Sequence, residues 1–173
     1  MYPFLRVFYN IQRAKFRSKL DFKHTAHLPM RVHLTDLDIY GEMNNARYLN
    51  ILELARWDLS VRTNLLDTMK KKRWGFVVAG VSIRYRKRLT ALQKFEIQTR
   101  LAGMDERWLY VEQNIMRNGV QHTGSLFRTA VLAKRGIVPT KELFAAMQVD
   151  WQPFMPDWIK EWHLSDENRP WHQ

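Results

Sequence analysis

The stretch DLDIYGEMNNARYLN, residues 36–50, joins two aspartates, a Tyr-Gly turn and paired asparagines to the start of a long apolar-periodic segment. Beyond it Tyr48, Leu52, Ala55, Leu59 and Leu66 recur on one stripe with no internal Gly or Pro, which predicts a helix over 46–66. Asn44 or Asn45 can cap its start, because a short side-chain oxygen reaches the free N–H groups of a first helical turn.

Upstream, 28–34 reads as a strand. Downstream the period falls to two: Val77, Ala79, Val81, Ile83 and Tyr85 alternate with a face that turns from Phe76 and Val78 to Arg84, Arg86 and Arg88. Strands over 95–101 and 108–116 follow, and Asn118-Gly119 marks a tight hairpin into 122–134. A strand, a long helix and four antiparallel strands make an α+β fold. The helix, about 30 Å long, can lie across the apolar face of the sheet.

The chain has 173 residues, 46% of them apolar and 13% aromatic, enough for one core and short for two. It has no cysteine, which excludes disulfides, a thiolate nucleophile and cysteine-ligated zinc. A serine nucleophile elbow and glycine-rich phosphate cradles are also missing. His24 and His27 lack a third ligand nearby, so no metal site is expected, and His33 and His122 fall on expected strands as structural residues. No cofactor is implied.

The string Asp36-x-Asp38-x-x-Gly41-x-Met43-Asn44-Asn45-x-x-Tyr48-Leu49, with Glu53 and Ala55-Arg56 further on, resembles the 4-hydroxybenzoyl-CoA thioesterase superfamily, in particular its thioesterase superfamily member 6-like branch. The resemblance covers about 28–135. It implies a single hotdog fold, a long central helix wrapped by a curved antiparallel sheet, with helical extensions at both ends. The corresponding division is a basic amphipathic extension over 1–26, a hotdog domain over 27–136 and a Trp-rich extension over 137–173.

Thioester hydrolysis needs a base or nucleophile on one side of the carbonyl and a donor for the developing oxyanion on the other. A carboxylate ahead of a helix start can sit beside free N–H groups and the positive end of the helix dipole. On its own, Asp-x-Asp before a helix is commonly a turn and capping device rather than a catalytic pair. The resemblance makes Asp38 the catalytic carboxylate and a backbone N–H near Asn45 the oxyanion donor, with Asp36 and the asparagines holding the loop. Gly41, Asn44, Tyr48 and Glu53 then border the substrate. Glu53 has a second reading as a surface partner of Arg56. Many members carry His where this chain has Glu42, a carboxylate that either bears on Asp38 or faces solvent.

The net charge of +11 is uneven, with six basic residues against Asp21 alone in 1–30. Arg84, Arg86 and Arg88 either meet the phosphates of acyl-CoA or guard a sheet edge. The run Lys70 to Arg73 reads as solvated surface. No nucleic-acid module is recognisable; the resemblance implies acyl-CoA or, less so, an acyl-carrier-protein thioester as substrate, and with exposed strand edges it implies a homodimer or dimer of dimers. The alternative is an idle hotdog domain that binds acyl-CoA or lipid at a membrane.

Residues 1–20 lack the pattern of a secretory signal or a membrane span. As a helix they set Phe4, Val7, Phe8, Ile11 and Ala14 against Arg6, Asn10, Arg13 and Arg17, a pattern suited to docking on the protein or to peripheral membrane contact. Residues 139–149 predict a helix, and Trp158, Ile159 and Trp162 line another, suited to packing or to a membrane surface. A cytoplasmic location follows from this reading, with the inner face of a membrane as the site of any association.

Overall fold

The structure, a computed structural model, describes residues 4–150 and 152–170. The outer ends of both expected extensions, 1–3 and 171–173, and residue 151 lie outside the described residues. The chain runs α1 (Phe4–Lys15), β1 (Ala26–Arg31), α2 (Asn45–Arg62), α3 (Leu65–Lys72), β2 (Gly75–Tyr85), β3 (Lys94–Met104), β4 (Leu109–Arg117), β5 (Val120–Ala133), β6 (Gly136–Ile137), α4 (Thr140–Ala146) and α5 (Asp157–Glu167).

The strands form one antiparallel sheet in the order β1-β3-β4-β5-β2, with β6 added to β5. Register shifts at Val78/Gly80, Leu101/Gly103 and Ile115/Met116 insert bulges, which raise the local twist and help curl the sheet around α2. This is the hotdog arrangement. Leu28, Phe95, Ile97, Ile115 and Phe127 on the inner face pack against Tyr48, Ile51, Leu52 and Ala55 of α2. Full burial of such a side chain contributes about 1.5–3 kcal/mol, so this layer is the main anchor of the helix.

The helix expected over 46–66 is broken. Asn64 takes φ +61°, a left-handed conformation that Asn tolerates better than most residues, and the chain restarts as α3. Strand β1 ends at Arg31 rather than at 34, and Pro29 is accommodated because β1 is an edge strand, bonded among the described residues only to β3. His33 accordingly lies outside a strand, at the head of a 3-10 turn over Leu34–Asp36.

Two side chains of the N-terminal segment grip α2. Asn10 Nδ2 donates to the Leu54 carbonyl at 2.7 Å, and Arg17 Nη1 donates to Asp58 at 2.8 Å. Asp58 is 1% exposed and also receives Arg62 at 3.3 Å, so this buried carboxylate is paired from two directions. Helix α5 covers the outer face of the sheet, with Ile159 fully buried against Ala102, Tyr110 and Leu126. Gly103 permits the approach, since a Cβ there would lie 3.2 Å from the Ile159 side chain and 3.3 Å from the Phe154 carbonyl. Trp162 packs edge-on against Tyr110, whereas Trp158 remains half exposed.

Candidate active site

Residues 37–43 double back on themselves ahead of α2. Leu37 and Met43 form a bridge, and the Asp38 N–H donates to the Glu42 carbonyl at 2.8 Å. The Gly41 N–H donates back to the Asp38 carbonyl at 3.1 Å. Gly41 takes φ +73°, a conformation that strains residues with a Cβ, so glycine closes this turn.

The two aspartates have opposite environments. Asp36 is 2% exposed and receives Arg6 Nη1 on both oxygens, at 2.8 and 3.1 Å, with the His33 N–H at 3.1 Å. Its carbonyl accepts from the Asn44 N–H at 2.9 Å, which ties the two stems of the loop. Asp38 is half-buried. Its Oδ1 accepts from the N–H of Tyr40 at 2.9 Å and of Glu42 at 3.4 Å, while Oδ2 has no partner among the described residues. The carboxylate is thereby oriented through one oxygen and open at the other.

Asn44 caps α2, accepting from the Ala46 N–H on Oδ1 at 2.9 Å and from Arg47 and Tyr48 on its carbonyl. That leaves the exposed Asn45 N–H as the one donor of this first turn without an acceptor among the described residues. Tyr48 is buried beneath it, edge-on to Tyr85 with ring centroids 5.0 Å apart, and the Tyr85 hydroxyl donates to the Asn45 carbonyl at 3.4 Å. Burial raises the pKa of both phenols, partly offset at Tyr48 by the polar surroundings of the Leu89 backbone and the Thr123 side chain. Both rings are therefore neutral near pH 7.

Glu42 is turned to Arg88, 2.8 Å away, so the carboxylate at the position where histidine is common carries its own counter-charge. The three arginines expected to share one strand face do not. Strand β2 ends at Tyr85, and the N–H groups of Arg86 and Lys87 both donate to the His122 carbonyl, which breaks the alternation. Arg84 stands opposite Gly124 on the outer face, where it lines a groove with Trp158 and Trp162. Arg86 is exposed just past the strand end, and Arg88 is held by Glu42.

Glu53 accepts from Trp57 Nε1 at 3.3 Å, two turns along α2 from its start. It borders a cavity of about 360 Å³ walled by Trp57, Leu66, Met69, Trp74 and Phe76. Beside it Arg56 donates to the buried Gln113 at 2.7 Å and lies 4.0 Å over the Phe127 ring. Between this cavity and Asn45, Leu49 of α2 and Val78, Val81 and Tyr85 of β2 are exposed apolar side chains. At 1.5 Å per residue the stretch of α2 from Asn45 to Trp57 is about 18 Å long.

Tyr85 was visible in the sequence only as an inward phase of the β2 alternation, and its bond to the helix start is new. The cavity had no sequence signal, because α3 and the break at Asn64 create its floor. His27 pairs with Glu96 at 2.8 Å, and His122 Nδ1 lies 3.2 Å from the Arg88 carbonyl. Among the described residues no cluster of His, Asp and Glu could hold a metal ion.

A family model described as the thioesterase-like superfamily matches residues 32–162. Protein THEM6 of Xenopus laevis is 41% identical over 81 residues, covering 47% of this chain and 39% of that protein. The long-chain acyl-CoA thioesterase FadM of Escherichia coli is 43% identical over 51 residues, covering 30% of this chain and 39% of FadM. The chain thus spans less than half the length of these two curated relatives. Among solved structures, YbaW of Escherichia coli, titled a probable thioesterase, superposes with a TM-score of 0.65 at 25% identity, over 70% of this chain and 96% of that one.

Proposed function

The chain belongs to the thioesterase-like superfamily, and from that premise we propose that it hydrolyses acyl-CoA thioesters at the loop preceding α2. The observation that carries this reading is one open carboxylate oxygen, on Asp38, and one open helix-start N–H, on Asn45, borne by the two stems of the same bridged loop.

Water held by Asp38 Oδ2 attacks the thioester carbonyl as its proton passes to the carboxylate. The carbonyl oxygen, now negative, is met by the Asn45 N–H and the positive end of the α2 dipole. Collapse of the tetrahedral intermediate reforms the carbonyl, breaks the C–S bond and expels the coenzyme A thiolate, which recovers the proton. Attack by Asp38 itself, through an anhydride, uses the same two groups.

The exposed apolar side chains of Leu49, Val78 and Val81, leading to the cavity beside Glu53, support a medium- or long-chain acyl group, since each methylene buried there contributes about 0.8 kcal/mol. Arg86 and Arg88, at the opposite end of β2 from the cavity, suit the anionic phosphates of coenzyme A. A homodimer formed by pairing between copies through β2 is supported by the open edge there: β2 bonds only β5 among the described residues and exposes Val78 and Val81, whereas the other edge carries Pro29, His27 and Arg31.

The test is release of free thiol from acyl-CoAs of graded length, with sedimentation to count subunits. Turnover that rises with chain length supports the whole reading. Retention of acyl-CoA without thiol release replaces it with an acyl-CoA-binding domain.

A further inference from the structure

Helix α1 is docked with the wrong side out for a helix that ends its burial on its own protein. Its inward face carries Arg6, Asn10 and, just past its end, Arg17, interleaved with Val7, Ile11 and Ala14. The polar members are engaged one by one, by Asp36, the Leu54 carbonyl and Asp58. The outward face carries Phe4, Leu5, Phe8 and Tyr9, continued by Phe16. These are not marginal exposures: Leu5 is 86% and Phe16 90% open. The division expected from the sequence, with Phe4, Val7, Phe8, Ile11 and Ala14 on one face against Arg6, Asn10, Arg13 and Arg17, is therefore corrected: Val7, Ile11 and Ala14 turn inward beside Arg6 and Asn10, and Phe4 and Phe8 turn outward.

We propose that this face seats the protein peripherally on an anionic lipid surface. At 100° per residue Arg13 borders the aromatic stripe on one side and the exposed Lys15 falls within it, where it bonds Gln12; Lys19 and Lys23 follow, and α1 contains no acidic residue. Aromatic rings at headgroup depth with basic residues at the rim match an anionic bilayer in polarity and in charge. The same rim opposes a second copy of this chain, because like charges would meet across a twofold contact on a protein of net charge +11. A convex helix with five protruding side chains also suits a fluid surface, which receives them without a matching set of pockets. The pairing of Arg6 with Asp36 fixes α1 to the loop that carries Asp38, and that loop exposes Ile39 and Tyr40 at its own tip. The proposal is independent of the hydrolase reading, which it leaves unchanged if it fails.

The experiment is co-sedimentation of the full chain with vesicles of phosphatidylcholine alone and of phosphatidylcholine with phosphatidylglycerol, in low and high salt and without any thioester. The expected result is binding to the anionic vesicles only, weakened at least tenfold in Leu5→Gln/Phe8→Gln/Phe16→Gln and made less salt-sensitive in Arg13→Gln/Lys15→Gln. All these positions are exposed, so melting temperatures should stay near that of the parent, which separates lost binding from lost folding. Absence of binding by the parent overturns the proposal, as does binding that survives the triple substitution. A triple variant that changes oligomeric state in sedimentation velocity, or a parent that instead holds a soluble acidic protein through this face, assigns the surface to a protein partner and also overturns it.

Discussion

The two ends of α2 are held by different physics. At the N-terminal end the loop is fixed by hydrogen bonds between near neighbours in sequence, Asp38 with Tyr40 and Glu42, Asn44 with Ala46. At the C-terminal half the shape comes from packing between distant segments, with Trp57, Leu66, Trp74 and Phe76 around one cavity. Polar bonds place chemistry at one end, and apolar walls offer room at the other. Both ends share one device, a buried aspartate that receives an arginine from the N-terminal segment, Asp36 from Arg6 and Asp58 from Arg17.

The difference is tested most strongly at Asp38. Asp38→Asn keeps the acceptor for Tyr40 and Glu42 but removes the base, so thioester turnover should fall by a factor of about 10² to 10⁴ or more. Circular dichroism and the melting temperature should hardly move. A variant with near-parental turnover removes the N-terminal end of α2 from the chemistry.

The same contrast explains what the sequence could and could not convey. The loop was legible because turn, cap and aspartate spacing are local: Gly41 sits where a left-handed residue is required, and Asn44 stands one residue before the helix. All five main strands were legible, β2 from its alternation and the pair β4 and β5 from the Asn118-Gly119 turn between them. The break at Asn64 was not, because the apolar stripe runs on through Leu66 and only tertiary packing chooses the left-handed residue. The division of α1 into faces differs from the expected one for a related reason. Its hydrophobic pattern names an apolar face, but buried partners at Asp36 and Asp58, one of them more than 40 residues away, decide which side turns inward. The row of three arginines failed because a strand's end cannot be read from alternation alone.

Next in size are the two buried aspartates, where the ends of α2 should differ in degree. Asp58→Asn leaves Arg62, itself 7% exposed, without its counter-charge and should cost about 3 kcal/mol, lowering the melting temperature by about 10 °C. Asp36→Asn strands Arg6, whose side chain is 24% exposed and can draw on water, so the cost should be about 2 kcal/mol. Equal and small losses measured by urea unfolding would mean that neither pair anchors the N-terminal segment.

The apolar end is sharpened by Val81→Asp, which places a charge among the exposed apolar side chains of β2, with sedimentation velocity run alongside because the same strand edge is assigned to the dimer. Losing the equivalent of two methylene contacts at about 0.8 kcal/mol each should lower kcat/KM for long-chain acyl-CoA roughly tenfold and leave the shortest substrates unaffected. A loss that is uniform across chain lengths would place the acyl group elsewhere.

The smallest effect separates the two jobs that Asn44 combines, capping α2 and adjoining the open N–H of Asn45. Asn44→Ala removes one side-chain acceptor and should cost about 1 kcal/mol, a fall of about 3 °C. Turnover should drop only a few-fold, because the bond from the Asn44 N–H to the Asp36 carbonyl is main-chain and survives the substitution. Asn44→Asp acts differently. It preserves the acceptor for the Ala46 N–H and adds a negative charge at a helix start, where the dipole favours it, so the melting temperature should be kept or raised. The same charge lies next to the position assigned to the oxyanion and must disfavour it, so turnover should fall further than in the alanine variant. Melting and kcat measured together on both variants decide the point. If stability and turnover rise and fall in step, the helix start acts on catalysis only by holding the loop; if the aspartate variant is the more stable and the slower, the Asn45 N–H is where the negative charge develops.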